Sequence, residues 1–191
     1  MRKLVVATGN PGKVTEMQEY LHNLPWELQL KPQKLDIEET GTTFLENAGI
    51  KASQVAIAVG EWAIADDSGL AVDALDGAPG LYSARYGNTD AERIERLLRE
   101  LGDHENRSAQ FICAVAIARP DGTIAEAVQG ECPGEILRET KGSGGFGYDP
   151  IFYVPEYKKT FAQMSPDLKN RISHRGKAFE QLLPRLVQHQ K

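Results

Sequence analysis

Trp62-Ala63-Ile64-Ala65-Asp66-Asp67-Ser68-Gly69-Leu70-Ala71-Val72 sets two adjacent carboxylates, a hydroxyl and a glycine between two apolar runs. The first four residues read as a short buried strand, and Leu70-Ala71-Val72 resumes the apolar character. Two like charges placed there are costly unless a cation or a hydrogen-bond network receives them. Two readings follow. In one, residues 66–69 form a turn, with one Asp capping backbone N–H groups and the other solvated. In the other, the carboxylates belong to a site.

Upstream, Leu4-Val5-Val6-Ala7 is an apolar, β-branched run of the kind found in buried strands. It leads directly into Thr8-Gly9-Asn10-Pro11-Gly12-Lys13 and then a helix carrying Val14, Met17 and Leu21 at helical spacing. Strand, glycine-containing turn and helix offer backbone N–H groups and a positive helix end to a phosphate, and Lys13 adds a point charge. The glycines at 9 and 12 are too close for GxxxxGK, so this is not the common NTPase loop. Trp26–Leu30 predicts a second strand, and Asp36-Ile37-Glu38-Glu39-Thr40-Gly41-Thr42 an acidic loop. A helix over 43–59 buries Phe44, Ala48, Ala52, Val55 and Val59, with Lys51 and Asn47 bordering that face. Such a lysine either snorkels or points into a cleft floored by Asp66 and Asp67.

Downstream, Thr89-Asp90-Ala91-Glu92 is a capping box for a helix with Ile94, Leu97, Leu98 and Leu101 as its apolar stripe. Residues 111–118 read as a strand, and Asp121-Gly122 turns it into an antiparallel hairpin with residues 123–128, so the sheet is mixed. Gly142-Ser143-Gly144-Gly145-Phe146-Gly147-Tyr148-Asp149-Pro150 carries four glycines within six positions, each with a conformational-entropy cost. The reading is either a mobile surface loop or a backbone that approaches a base or sugar closely, with Phe146 and Tyr148 offering planar faces. Residues 151–154 form a further strand. Lys169, Ser173, His174 and Arg175 then precede a last helix with Phe179, Leu182, Leu183 and Leu186 on its buried face, which Pro184 is expected to kink or shorten.

The 191 residues suffice for one domain with a substantial core, and the formal net charge of -5 argues against a nucleic-acid partner. No signal peptide or membrane span is expected, and Cys113 and Cys132 fit neither a metal spacing nor a disulfide framework, so a reducing cytoplasm is expected. Together, the phosphate turn, the acidic groups Glu38, Glu39, Asp66 and Asp67, the glycine-rich aromatic loop and the basic cluster describe a site for a nucleotide with several phosphates. All-oxygen ligands favour Mg²⁺, with Mn²⁺ as a substitute.

These motifs, in this order, resemble the inosine/xanthosine triphosphate pyrophosphatases. The likeness also includes Phe44-Leu45-Glu46-Asn47-Ala48, Gly77-Ala78-Pro79-Gly80, Tyr82-Ser83-Ala84-Arg85-Tyr86 and Ser173-His174-Arg175-Gly176. The resemblance implies hydrolysis of ITP, dITP or XTP to monophosphate and pyrophosphate. It also implies an elongated mixed α/β fold, one two-lobed domain over residues 1–191 around a central cleft, and a homodimer. Thr8, Gly9, Asn10, Pro11, Gly12 and Lys13 would hold the triphosphate, with Lys51 neutralising charge. Asp67 would be general base and metal ligand, with Glu38 or Glu39 as the other ligand. Ser68 would contact substrate, and Phe146, Gly147, Tyr148 and Asp149 would hold base and sugar. Lys169, His174 and Arg175 would complete base recognition. Rival readings are a pyrophosphatase for modified pyrimidine nucleotides and a non-catalytic nucleotide sensor.

Overall fold

The N-terminal apolar run forms β1 (Arg2–Val6), which pairs in parallel with β2 (Trp26–Leu30) and with β3 (Trp62–Val72). The computed structural model describes residues 2–189. Parallel neighbours need crossover connections, and α1 (Pro11–Leu21) and α2 (Phe44–Val59) lie in those two connections. The remaining strands and α-helices are α3 (Asp90–Leu101), β4 (Ser108–Ala118), β5 (Ile124–Ile136), β6 (Phe152–Val154), β7 (Lys159–Thr160), α4 (Pro166–Ile172) and α5 (His174–Gln188). Hydrogen bonding orders the strands β2-β1-β3-β4-β5-β6-β7 in one open sheet. The β5–β6 and β6–β7 pairs are antiparallel, so the sheet is mixed and flanked by helices. The turn between β4 and β5 closes with Arg119 N–H donating to the Thr123 carbonyl at 2.9 Å.

The turn reading of residues 66–69 is corrected. Asp66, Asp67, Ser68 and Gly69 lie inside an uninterrupted strand of 11 residues. Turn-type residues continue as strand here because β3 is an inner strand, between β1 and β4, and partners elsewhere in the chain receive both charges.

The chain divides into two compact units. The first comprises the chain up to Asp67, Cys113–Gly130 and the chain from Arg175 onward. One sheet face there carries Leu4, Val6, Ile64, Val115 and Ile117 against Met17 and Leu21 of α1 and Phe179 and Leu182 of α5. The other carries Val5, Ala7, Ala63, Ala65, Ala114 and Ala116 against Ala48, Ala52, Val55 and Ala56 of α2. The second unit comprises Ser68–Ile112 and Glu131–His174. Its core gathers Leu70, Val72, Ile94, Leu97, Leu101, Phe111, Tyr148, Phe152 and Phe161.

Pro184 does not shorten α5, which runs through it to Gln188. An interior proline costs about 3 kcal/mol. Phe179, Leu182 and Leu186 are fully buried, and each contributes about 1.5–3 kcal/mol on burial, so docking of the helix face outweighs the proline.

Candidate active site

Successive side chains of a strand point to opposite faces, and β3 uses this to separate its two carboxylates. Asp66 follows Ile64 onto the face covered by α1 and α5. It is 0% exposed and meets Lys13 Nζ at 3.0 Å and Arg175 Nη2 at 2.9 Å. Arg175, also buried, reaches Glu16 with Nη1. Burial pushes the Asp66 carboxyl up, but Lys13, Arg175 and Lys51 outweigh it and hold it well below the usual carboxylate range. Its cationic neighbours thus hold Asp66 as the charged carboxylate.

Asp67 follows Ala63 and Ala65 onto the α2 face. Lys51 Nζ lies 3.4 Å from its Oδ1 and 2.7 Å from Glu39 Oε1. Burial is the largest influence on Asp67 and leaves its carboxyl above the ordinary value; Glu39 adds to this, while Lys51 and Lys13 oppose it. A carboxylate raised in this way holds a proton more readily than a solvated one. Asp67 Oδ2 is buried and has no hydrogen-bond partner. Lys51 stays charged despite burial because Asp67, Asp66 and Glu39 surround it. Glu39 is half-buried beside Lys51, whereas Glu38 is exposed.

In the turn after β1, Asn10 caps α1: its Oδ1 accepts from Gly12 N–H at 3.0 Å and Lys13 N–H at 3.3 Å. Thr8 Oγ1 accepts from Asn10 N–H at 3.2 Å. Pro11 has no N–H. The helix-end donors expected to face a phosphate are thus already engaged within the turn. The space beside Gly9 is open, with nothing within 4 Å of a Cβ placed there.

Within the second unit, Asp149 is buried and accepts from Lys169 Nζ at 2.7 Å and from Phe146 N–H at 2.9 Å. Lys169 Nζ stands 4.7 Å from the Phe146 ring centroid, a cation–π arrangement. His174 is buried and stacks on Phe111 at 4.6 Å. Gly147 N–H donates to Asp90 Oδ2 at 2.7 Å, so the first turn of α3 helps to hold the loop.

Two expectations for this loop change. At Gly142 and Gly145 the close approaches are to the protein itself: a Cβ on Gly145 would lie 2.0 Å from Asp149 Oδ2, and one on Gly142 would lie 2.6 Å from the Ala162 carbonyl carbon, whereas one on Gly147 would meet nothing within 4 Å. Tyr148 does not offer an open planar face. It is 4% exposed, and its hydroxyl donates to the Ser83 carbonyl at 2.8 Å. Tyr148→Phe is accordingly expected to cost about 1 kcal/mol, read by denaturant unfolding, with kcat near native.

The structure thus brings Lys13, Lys51, Glu39, Asp66, Asp67 and Arg175 together in one unit, and Phe146, Gly147, Asp149 and Lys169 in the other. Arg175, grouped in the sequence with Lys169 and His174, has its guanidinium turned to Asp66 and Glu16. Reading a base would require it to leave them. Glu16 and Asp90 act through partners 159 and 57 positions away, so local spacing carries no signal of them. Cys113 is inert, since burial pushes its thiol up to about 12.

The chain is similar to known proteins over almost its whole length. A dITP/XTP pyrophosphatase of Nostoc sp. (strain PCC 7120 / SAG 25.82 / UTEX 2576) is 66% identical over 184 residues, covering 96% of this chain and 94% of that one. A dITP/XTP pyrophosphatase of Synechocystis sp. (strain ATCC 27184 / PCC 6803 / Kazusa) is 63% identical, covering 96% and 94%. The solved HAM1 protein from Coxiella burnetii superposes with a TM-score of 0.89 at 45% identity, with both chains covered completely. The Ham1 family model matches residues 4–185, and the chain belongs to the Ham1 family.

Proposed function

We propose that this protein hydrolyses non-standard purine nucleoside triphosphates, dITP, XTP and ITP, to the monophosphate and pyrophosphate. This would remove them from the pool available for DNA and RNA synthesis. The observation that carries the reading is the buried Asp67, with one oxygen unpartnered and the other facing Lys51 beside Glu39. The names of the relatives support the substrate class.

Among the described residues, no group of three or more His, Cys, Asp and Glu forms a ready-made metal cage. That suits Mg²⁺, which is bound by one or two carboxylates together with substrate phosphates. Glu39 and Asp67 are the two carboxylates that fit, and Asp67 Oδ2 is the oxygen without another partner. Exposed Glu38 is the weaker candidate. When bound, Mg²⁺ would neutralise charge on the leaving pyrophosphate and acidify water.

A water oxygen attacks the α-phosphorus, the bond from that phosphorus to the oxygen bridging to the β-phosphate breaks, and Asp67 takes the water's proton. Lys51 and Lys13 stand against the negative charge of the phosphates, and the Thr8–Lys13 turn receives them beside Gly9. In the second unit, Phe146 offers its ring to the base, while Lys169 and His174 supply donors for a 6-keto oxygen. An adenine amino group would leave such donors unmatched, the kind of mismatch that discriminates strongly. Mn²⁺ is the expected substitute metal. A homodimer working in the cytoplasm is the expected state, and no described helix is long and apolar enough to cross a membrane.

The test is incubation with Mg²⁺ and a panel of dITP, XTP, ITP, ATP and dUTP, with phosphate products resolved. Pyrophosphate from the keto purines, abolished by EDTA, is the expected result. Orthophosphate as product, preference for dUTP, or binding without turnover would each replace the assignment. Turnover surviving EDTA would remove the metal.

A further inference from the structure

Phe146 is carried by a backbone that does not hold itself in place. It stands between Gly145 at φ 71° and Gly147 at φ 61°, both in the left-handed region, and glycine leaves a chain freer than any other residue. Stiffness of the chain therefore does not fix the direction of the ring. Two carboxylates do. Asp149 Oδ2 accepts from Phe146 N–H at 2.9 Å, and Asp90 Oδ2 accepts from Gly147 N–H at 2.7 Å. These amides belong to the peptide groups on either side of the Phe146 Cα, so holding both restrains its two soft dihedrals.

The Asp149 contact is local, 3 positions along the chain, whereas Asp90 reaches the loop from 57 positions away. The start of α3 does not require the Asp90 carboxylate. Thr89 Oγ1 accepts from Glu92 N–H at 3.2 Å, and Glu92 Oε2 accepts from Asn88 N–H at 2.7 Å. Arg93 instead braces Asp90: its Nη1 donates to Asp90 Oδ1 at 2.7 Å and its Nε to the Gly87 carbonyl at 3.0 Å. The second oxygen of Asp90 is thereby presented to Gly147.

We propose that Asp90 is a positioning residue for Phe146, which together with Asp149 sets the ring for a base before substrate arrives. This deepens the functional reading above and rests on its assignment of Phe146 to the base. A loop ordered in advance has no ordering cost left at the moment of binding, and hydrogen bonds to charged groups are the stronger kind. Loss of the Asp90 contact should weaken the hold on the base and leave the residues that face the phosphates unaltered. That combination raises KM and keeps kcat.

Asp90→Ala removes the acceptor, and Asp90→Asn keeps a carbonyl oxygen for Gly147 N–H. Both are compared with Phe146→Ala and with the Asp90→Ala, Phe146→Ala double variant. The readouts are KM and kcat for dITP with Mg²⁺, inhibition by pyrophosphate, and amide hydrogen exchange without nucleotide. For Asp90→Ala the expectation is exchange at least about tenfold faster in residues 145–148, KM raised about tenfold and kcat within about threefold of native. Exchange within α3 and the inhibition constant for pyrophosphate should stay native. Asp90→Asn should bring KM back to within about threefold of native. In the Phe146→Ala background, Asp90→Ala should change KM by less than about twofold, because the ring through which it acts is gone. Native exchange in residues 145–148 of Asp90→Ala would overturn the proposal, as would faster exchange confined to α3. So would a native KM, a fall in kcat with KM unchanged, or an equal rise in KM with and without Phe146. Should Phe146→Ala itself leave KM native, or the unaltered protein release no pyrophosphate from dITP, the functional reading falls instead, and hydrogen exchange still decides whether Asp90 holds the loop.

Discussion

Asp67→Asn is expected to lower kcat for dITP by about 10²–10⁴-fold, the range associated with a positioned general base, while the protein stays folded. Asn has the shape of Asp but cannot take a proton from water. Folding should not suffer, because burial already works against the Asp67 charge; the neutral amide removes that cost and loses only the pairing with Lys51 at 3.4 Å. Tm is therefore expected to be equal to or above native. Single-turnover rates with saturating Mg²⁺ separate the chemical step from metal occupancy. A rate within about tenfold of native would take the base role from Asp67 and leave it as a metal ligand.

Arg175→Met has its largest effect on stability. The native guanidinium sits between two carboxylates, Asp66 and Glu16, and is 1% exposed. Removing one member of a buried ion pair costs about 3–5 kcal/mol, and here two carboxylates lose a cation, although Asp66 keeps Lys13. For a chain of this size each kcal/mol lowers Tm by about 2–4 °C. The effect should depend on pH with a definite sign. The folded-state pKa of Asp66 is depressed, so its pairing stabilises fully above the unfolded carboxylate value of about 3.9. That contribution is lost as pH falls toward the folded value, so the gap between native and variant should narrow in acid. An unchanged Tm with selective loss of dITP over dATP turnover would instead put Arg175 at the base, the role that the family resemblance implies.

The early part of the fold was legible from local chemistry. A β-branched apolar run followed by the glycine-containing turn at 8–13 announces a strand and a helix, and Thr43 and Thr89 mark two more helix starts. The continuity of β3 was not legible, because Asp, Ser and Gly have turn chemistry and the residues that receive their charges lie up to 109 positions away. β7 and α4, at 2 and 7 residues, are too short to show a period. In the glycine-rich loop, composition left a mobile loop and a close approach equally open, and could not show that Asp149 and Ala162 are what approach the backbone. The acidic loop offered Glu38 and Glu39 equally. In the fold they differ in that Glu39 is half-buried against Lys51, 12 positions on, while Glu38 is exposed.

The alternation of β3 also bears on how this chain can change in length. Asp66 and Asp67 are adjacent in sequence but face different neighbours, so a deletion of one residue between Trp62 and Ala65 would not merely shorten the strand. It would exchange the two surfaces, turning Asp67 toward Lys13 and Arg175 and Ser68 toward Lys51, with Ala65 and Ile64 moved onto the wrong cores. An insertion would do the reverse. A substitution along this segment leaves the alternation of its faces in place, whereas a change in its residue count does not. Libraries meant to retune the enzyme should vary side chains here and place length changes elsewhere.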